Sequence, residues 1–396
     1  MGTFIMNDTD DTCLMYGNRG AGQDVDRTKD EVNQDPNIDR SRTKSGSQID
    51  QIHKFAGFSI GLSSIFAEQV LSHPCIVLRR QCQVHHNGEW FHLTPFTLFQ
   101  VMLNMQSHQG VTTLWKGFGS VFVIKGIFMV SETVISEVTP LPKEVSRHSS
   151  LKKYGEHLLL KSLSFLVTSP FYAASMIETI QSDIASEKPG VFDTIKEGLT
   201  RIMGWGMPQT TRLLPMWKLV LPTLTFRLSH YLITSVAQYT VMSTIRSEQR
   251  ELRDHSLEEH SADVLNPEAT IFDIYFPELL ASFTGSLLAD VMLFPLETII
   301  HRLYVQGTRT IIDNTDTGLG VIPINTNYEG FTDCFQCIVK EEGIFGLYKG
   351  FGALVLQFAI HASLLRIAKY LFEKLSQELN PPKRRPISQS SPTKHQ

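Results

Sequence analysis

Two stretches of the chain carry the charges whose spacing could do chemistry. Residues 294–307 read FPLETIIHRLYVQG and residues 73–84 read HPCIVLRRQCQV. Each sets a proline (Pro295, Pro74) in an apolar run, follows it with basic side chains, and ends near a glutamine, Gln306 or Gln83. Only the later stretch keeps an acid two positions after its proline, Glu297; the earlier one has Ile76 there but retains Arg79. Charges within apolar helices are tolerable only where they pair or face a cavity, a structural rather than a catalytic task. Catalytic alternatives fare poorly. His157 follows Glu156 and His361 lies in an apolar segment, yet neither has a nucleophile and an orienting acid at a recognisable spacing. The stretch GFGS at residues 117–120 lacks the spacing and lysine of a phosphate loop. Cys334 and Cys337 form a lone CxxC with no second pair, so two thiols on a short helix is the expected reading, with no metal and no cofactor.

The elements that must hold these residues are helices of membrane-spanning length. Six apolar segments fall at about 55–74, 117–136, 158–180, 213–241, 279–304 and 355–375. Glu68, Lys125, Lys161, Lys218, Arg227 and Asp290 interrupt them, which suits helices that turn a polar face toward a shared cavity. Gly57 and Gly61, four apart, and Gly285 are expected at close helix contacts. The composition agrees with a membrane protein: of 396 residues only 19% are charged, and 24 are Phe. A net charge of −4 argues against nucleic acid as a partner. Residues 1–6 lack the charged start and apolar core of a secretory signal, and NDTDD at 7–11 is too acidic for a transit peptide.

Self-similarity organises the segments. Prolines recur as SHP, TSP and LFP at Pro74, Pro170 and Pro295, where each should kink its helix. HQGVTTLWKGFG (108–119) and EEGIFGLYKGFG (341–352) align without a gap, superposing Gly110 on Gly343 and Gly117 on Gly350; VFDTIKEGLTRI (191–202) is a worn version of the element before them. The chain thereby resembles the mitochondrial carrier (solute carrier family 25) family, strongly in its third repeat, fairly in its first and weakly in its second. The resemblance implies an all-α membrane protein, a six-helix bundle of three pseudo-repeats, each with a short surface helix. The expected division is a polar, disordered arm (1–51), repeat one (52–140), a degenerate repeat two (141–245), a polar linker (246–270), repeat three (271–376) and a basic disordered tail (377–396) carrying PPKRRP.

In family members that transport, the acid of each repeat pairs with the base of the next. Carried onto this sequence, the partners are Ile76 with Ser175, Tyr172 with Ile300, and Glu297 with Arg79. Two pairs would be lost whole and one kept whole, as expected if stranding one charge costs about 3–5 kcal/mol whereas replacing both can be neutral. The expected floor is thus one ion pair and two apolar plugs. At the far end of the last helix, Phe372 and Glu373 begin the family's second gate motif, but Ser376 stands where its base should be, and Pro140 takes the corresponding place after the second segment. Residues 308–327 are an insertion, read as a hydrated loop or a partner-binding element. The sequence also resembles a divergent branch of the family set in the outer mitochondrial membrane. That likeness implies an adaptor that transports nothing, in the lipid bilayer beside membrane-shaping and lipid-supply proteins, serving the balance of fission and fusion, cristae upkeep and phospholipid supply. The competing reading is an inner-membrane carrier of a small anion or nucleotide, with Lys218, Arg227 and His230 lining its cavity.

Overall fold

The computed structural model describes residues 66–86, 88–145, 150–184, 193–203, 212–259 and 271–379. Gly57, Gly61, the arm and the tail beyond residue 379 lie outside them, as do the side chains of Phe372, Glu373 and Ser376; residues 377–379, expected in the tail, are instead the end of the last helix. Apart from its connecting loops and one small hairpin, the described chain is helical. Helix α1 runs from 66 to 84. It is followed by α2 (Pro95–Gln109), a 3₁₀ turn (Val111–Trp115), α3 (Phe118–Val138), α4 (Leu151–Ile180), α5 (Asp193–Met203), α6 (Met216–Glu259) and α7 (Ile271–Val305). After the hairpin, β1 (Ile311–Asp313) and β2 (Val321–Pro323), come α8 (Phe331–Glu341), a second 3₁₀ turn (Ile344–Tyr348) and α9 (Phe351–Leu379).

Among the described residues four stretches are long and apolar enough to cross a membrane: Val111–Val138, Leu151–Ile180, Phe276–Val305 and Ile344–Leu371. These correspond to four of the six expected segments. The first expected segment is described only from residue 66, and α6 is long but carries Lys218 and Arg227 near its start. Helix α6 also continues through Glu259, so the first half of the expected linker is helix. The long helices pack as neighbours, α3 on α4, α4 on α6, α6 on α7 and α7 on α9.

Polar residues inside these helices are held locally, as they must be where no water competes. Along α4, the Thr168 hydroxyl donates to the Ser164 carbonyl (2.9 Å) and Thr179 to that of Ser175 (2.6 Å). The intruding charges mostly turn inward. Lys161 meets Glu132 at 2.6 Å, both buried, and Lys125 donates to Gln69 at 2.8 Å. Prolines 74, 170 and 295 all lie within helices. A helical proline deprives the carbonyl four residues back of its donor. For Pro74 that carbonyl is Val70, and the Trp115 indole N–H replaces the missing donor at 2.9 Å.

Two glycines fix how the turn-and-helix units seat on their neighbours. Gly117 and Gly350 have φ of 68° and 82°, and a Cβ on either would lie 2.8 Å from Thr179 Oγ1 or 2.9 Å from Cys82 Cβ. Gly110 and Gly343 also have positive φ, at the ends of α2 and α8. Gly285 has no room either: its Cβ would stand 2.9 Å from the Thr234 carbonyl of α6, the close contact expected there. The insertion departs from the hydrated-loop reading. Its two strands pair in antiparallel register, and Ile312, Asp313, Thr315 and Ile324 are buried. Apolar Ile312 and Ile324 have joined the main core, which a solvated loop would not permit.

Candidate functional site

The polar residues of α1, α4, α6 and α7 converge on one region between the helices. Glu297 sits two residues after Pro295 on α7, and Arg79 sits five after Pro74 on α1. Their closest approach, Arg79 Nη2 to Glu297 Oε1, is 3.3 Å. Both are about nine-tenths buried, where a charge is tolerable only beside its opposite. Two neighbours complete the site. Asp290, two helical turns before Glu297 on α7, lies 3.7 Å from Arg79 Nη1 and accepts from His230 of α6 at 2.8 Å. Gln83 donates to Glu297 Oε2 at 3.0 Å and accepts from His301 Nδ1 at 2.6 Å.

The junction assigned to Tyr172 and Ile300 is not an apolar plug. Ile300 is buried in the core, but the Tyr172 hydroxyl lies 3.0 Å from Nε2 of the next residue, His301. With Nδ1 donating to Gln83, Nε2 of a neutral imidazole accepts from the tyrosine, giving an uncharged hydrogen bond in place of the expected apolar plug. The junction assigned to Ile76 and Ser175 differs as well. Ser175 turns to α3, its hydroxyl 2.7 Å from that of Ser120, and Ile76 is only half buried. Of the three assigned junctions one is therefore ionic; at the second Tyr172 makes a neutral hydrogen bond, and at the third Ser175 finds its partner on α3 while Arg80 of α1 reaches Thr179 of α4.

The other selected residues separate. Gln83 and Gln306 do different work: Gln306 donates to the carbonyls of Arg212 and Tyr328 at 2.8 and 2.9 Å and accepts from the Tyr328 amide. They stand nine and eleven residues after their prolines. Two residues are about 200° around a helix, so the side chains leave on nearly opposite faces. Of the three cavity candidates, Arg227 faces inward, its guanidinium 4.5 Å from the Tyr172 ring centre and 3.4 Å from Thr168 Oγ1, and His230 is held by Asp290. Lys218 does not join them. It is exposed near the start of α6, its ammonium 3.4 Å from the Glu329 carbonyl.

His157 and His361 have structural contacts: His157 bridges the Pro142 carbonyl and the Tyr231 hydroxyl at 3.0 and 2.8 Å, and His361 lies 3.3 Å from Glu68. Cys334 and Cys337 are free thiols on α8. Sequence reasoning missed His301, Arg80 and the role of Asp290. The signal for the first was its place beside Ile300, since a position lost from a pairing scheme can be taken over by its neighbour. Arg80 donates to Thr179 Oγ1 at 3.0 Å and approaches the other side of the site, 5.8 Å from the Tyr172 ring centre.

Residues 274–378 match the family model described as mitochondrial carrier protein. Among curated proteins, the chain is 49% identical over 332 residues to "Mitochondrial outer membrane protein SLC25A46" of Homo sapiens, an alignment spanning 84% of this chain and 78% of that one. The protein of the same name from Danio rerio is 51% identical over 326 residues, covering 82% and 80%. "Solute carrier family 25 member 46-B" of Xenopus laevis is 48% identical over 333 residues, covering 84% and 79%. With these relatives and its apolar helices, the chain belongs to the mitochondrial carrier protein family and resides in the mitochondrial outer membrane.

Proposed function

We propose that the chain is a non-transporting member of its family. It would act as a membrane-embedded adaptor in the balance of mitochondrial fission and fusion, in cristae maintenance and in phospholipid supply, without catalytic activity. Its fold would be the six-helix bundle of three pseudo-repeats, divided at the boundaries inferred from the sequence. Its partners would be the lipid bilayer and the proteins that shape mitochondrial membranes and deliver their lipids. The observation that carries the reading is the floor. A gate that opens and reforms gains from reversible ionic contacts, and among the described residues only one of the three assigned junctions, Arg79 with Glu297, is ionic; Tyr172 turns to His301 and Ser175 to Ser120, both neutral.

One observation favours transport of a small anion instead. The described contacts of Arg227 are a hydroxyl and two aromatic faces rather than a carboxylate, so its charge is available to an anion in the cavity. Exchange measured in proteoliposomes against a broad panel of anions and nucleotides separates the two. The adaptor reading expects no saturable uptake; uptake that Arg227→Ala abolishes would overturn it. Loss of the chain from cells should alter mitochondrial network shape and phospholipid composition together, and an unchanged network would count equally against the proposal.

A further inference from the structure

The unit at the end of the third repeat is tied by one carboxylate. Glu342 accepts two bonds from Arg302, at 2.6 and 2.9 Å, and lies 3.1 Å from Lys349. The corresponding positions of the first repeat have lost this arrangement. Arg302 stands seven residues after Pro295 and Gln81 seven after Pro74; the ungapped alignment sets Gln109 against Glu342 and Lys116 against Lys349. The lysine has survived while its acid has become an amide. A buried ammonium without an anion is costly, so the charge must come from elsewhere.

It comes from the insertion. Asp313, fully buried at the end of β1, accepts from Lys116 at 2.6 Å, from Gln81 at 2.8 Å and from Gln109 at 2.9 Å. These three side chains occupy the positions of Lys349, Arg302 and Glu342. Around this bond the hairpin grips its neighbours. Ser182, just past α4, donates its amide to the Ile311 carbonyl at 2.8 Å. His85, just past α1, meets Thr315 Oγ1 at 2.7 Å, and the Glu89 and Trp90 amides donate to Asp316. On α2, Asn104 donates to the Thr317 carbonyl at 2.7 Å.

We propose that the insertion at 308–327 is an internal clasp, in which Asp313 stands in for the acid missing from the first repeat and ties the ends of α1, α4 and α7 together. With three helix ends held through one hairpin, that end of the bundle stays closed. The inference deepens the non-transporting reading above, but its test involves no solute flux, so the two can fail separately.

The test is a charge transplant in the full chain reconstituted in lipid, read by peptide-resolved alkylation of the native cysteines. Cys82, buried against Gly350 beside the clasp, reports local opening; Cys334, buried on α8, reports global unfolding. Asp313→Asn should speed alkylation of Cys82 by at least about tenfold, the low end for losing one charge-assisted hydrogen bond, and leave Cys334 protected. Gln109→Glu alone should also speed it, because two carboxylates then crowd one lysine. In the Asp313→Asn background the same Gln109→Glu change should restore protection to within about a factor of two of the parent rate. This reversal of sign is the expected result. An unchanged Cys82 rate in Asp313→Asn, equal rises at Cys82 and Cys334, or a double variant more reactive than either single one would each overturn the clasp. Should Asp313→Asn not fold, Asn104→Ala, which removes the side-chain donor to the Thr317 carbonyl, should still raise the Cys82 rate, and no rise would reject it.

Discussion

Arg79 is the side chain on which the buried charges balance. It faces Glu297 at 3.3 Å and Asp290 at 3.7 Å, so removing it leaves two carboxylates in a dry region. Arg79→Ala should therefore destabilise the protein by about 3–5 kcal/mol in detergent unfolding experiments. Arg79→Ala with Glu297→Gln should recover part of that loss, and adding Asp290→Asn more. Equal losses in the single and double variants would mean that no coupling exists. Tyr172→Phe tests the neutral junction. It deletes the hydroxyl facing His301, whose Nε2 is then left unsatisfied, and should cost about 1–3 kcal/mol. Neither His301 nor Gln83 was legible as part of this junction, because spacing along one helix says nothing about which neighbour on another helix fills a vacated place.

At the level of elements, the hairpin and the loop after α1 form a unit sensitive to acid. His85 is buried against Thr315, and burial, ahead of the nearby charges, pushes its pKa down to about 4. His92 donates Nε2–H to the Thr315 carbonyl at 2.9 Å, and burial lowers its pKa as well. Burial would raise the Asp313 carboxyl, but the Lys116 ammonium and hydrogen bonds outweigh it and hold it below its ordinary value. For histidines with a depressed folded pKa, the unfolded chain takes up protons first. Their contribution is complete above the unfolded value of about 6.5 and is lost as pH falls toward 4. Melting temperature should drop over that window, and His85→Gln, which cannot titrate, should flatten the drop. At the other end of α1, Trp115→Phe strips the Val70 carbonyl of its replacement donor and should cost about 1–3 kcal/mol. The element pattern itself was readable: the prolines, the aligned LWKG and LYKG units and the apolar segments put helices where helices are found. The insertion was not, since its short strands carry too few residues for periodicity to register.

For the whole molecule, residence in the outer membrane has a direct consequence. The chain should stay with the membrane on alkaline extraction and be reached by protease added to intact mitochondria. Release into the alkaline supernatant would contradict spanning helices. Helix packing adds a second check. Gly285→Leu would drive a side chain into the Thr234 carbonyl of α6 and should prevent stable accumulation of the protein, whereas Gly126→Leu, on α3 with nothing within 4 Å of its Cβ, should be tolerated.

The sequence by itself determined the family, the helices, the survival of Arg79 with Glu297 and the absence of charge from the two other pairings, because these depend on residue type and on spacing along one chain. Only the tertiary structure decided what replaced the missing charges. Tyr172 meets His301, Ser175 meets Ser120, and Asp313 reaches across to Lys116 from 197 residues away. Buried polar groups must be paired, but pairing is a matter of distance in space. A chain can satisfy it with any residue that the packed helices bring within reach.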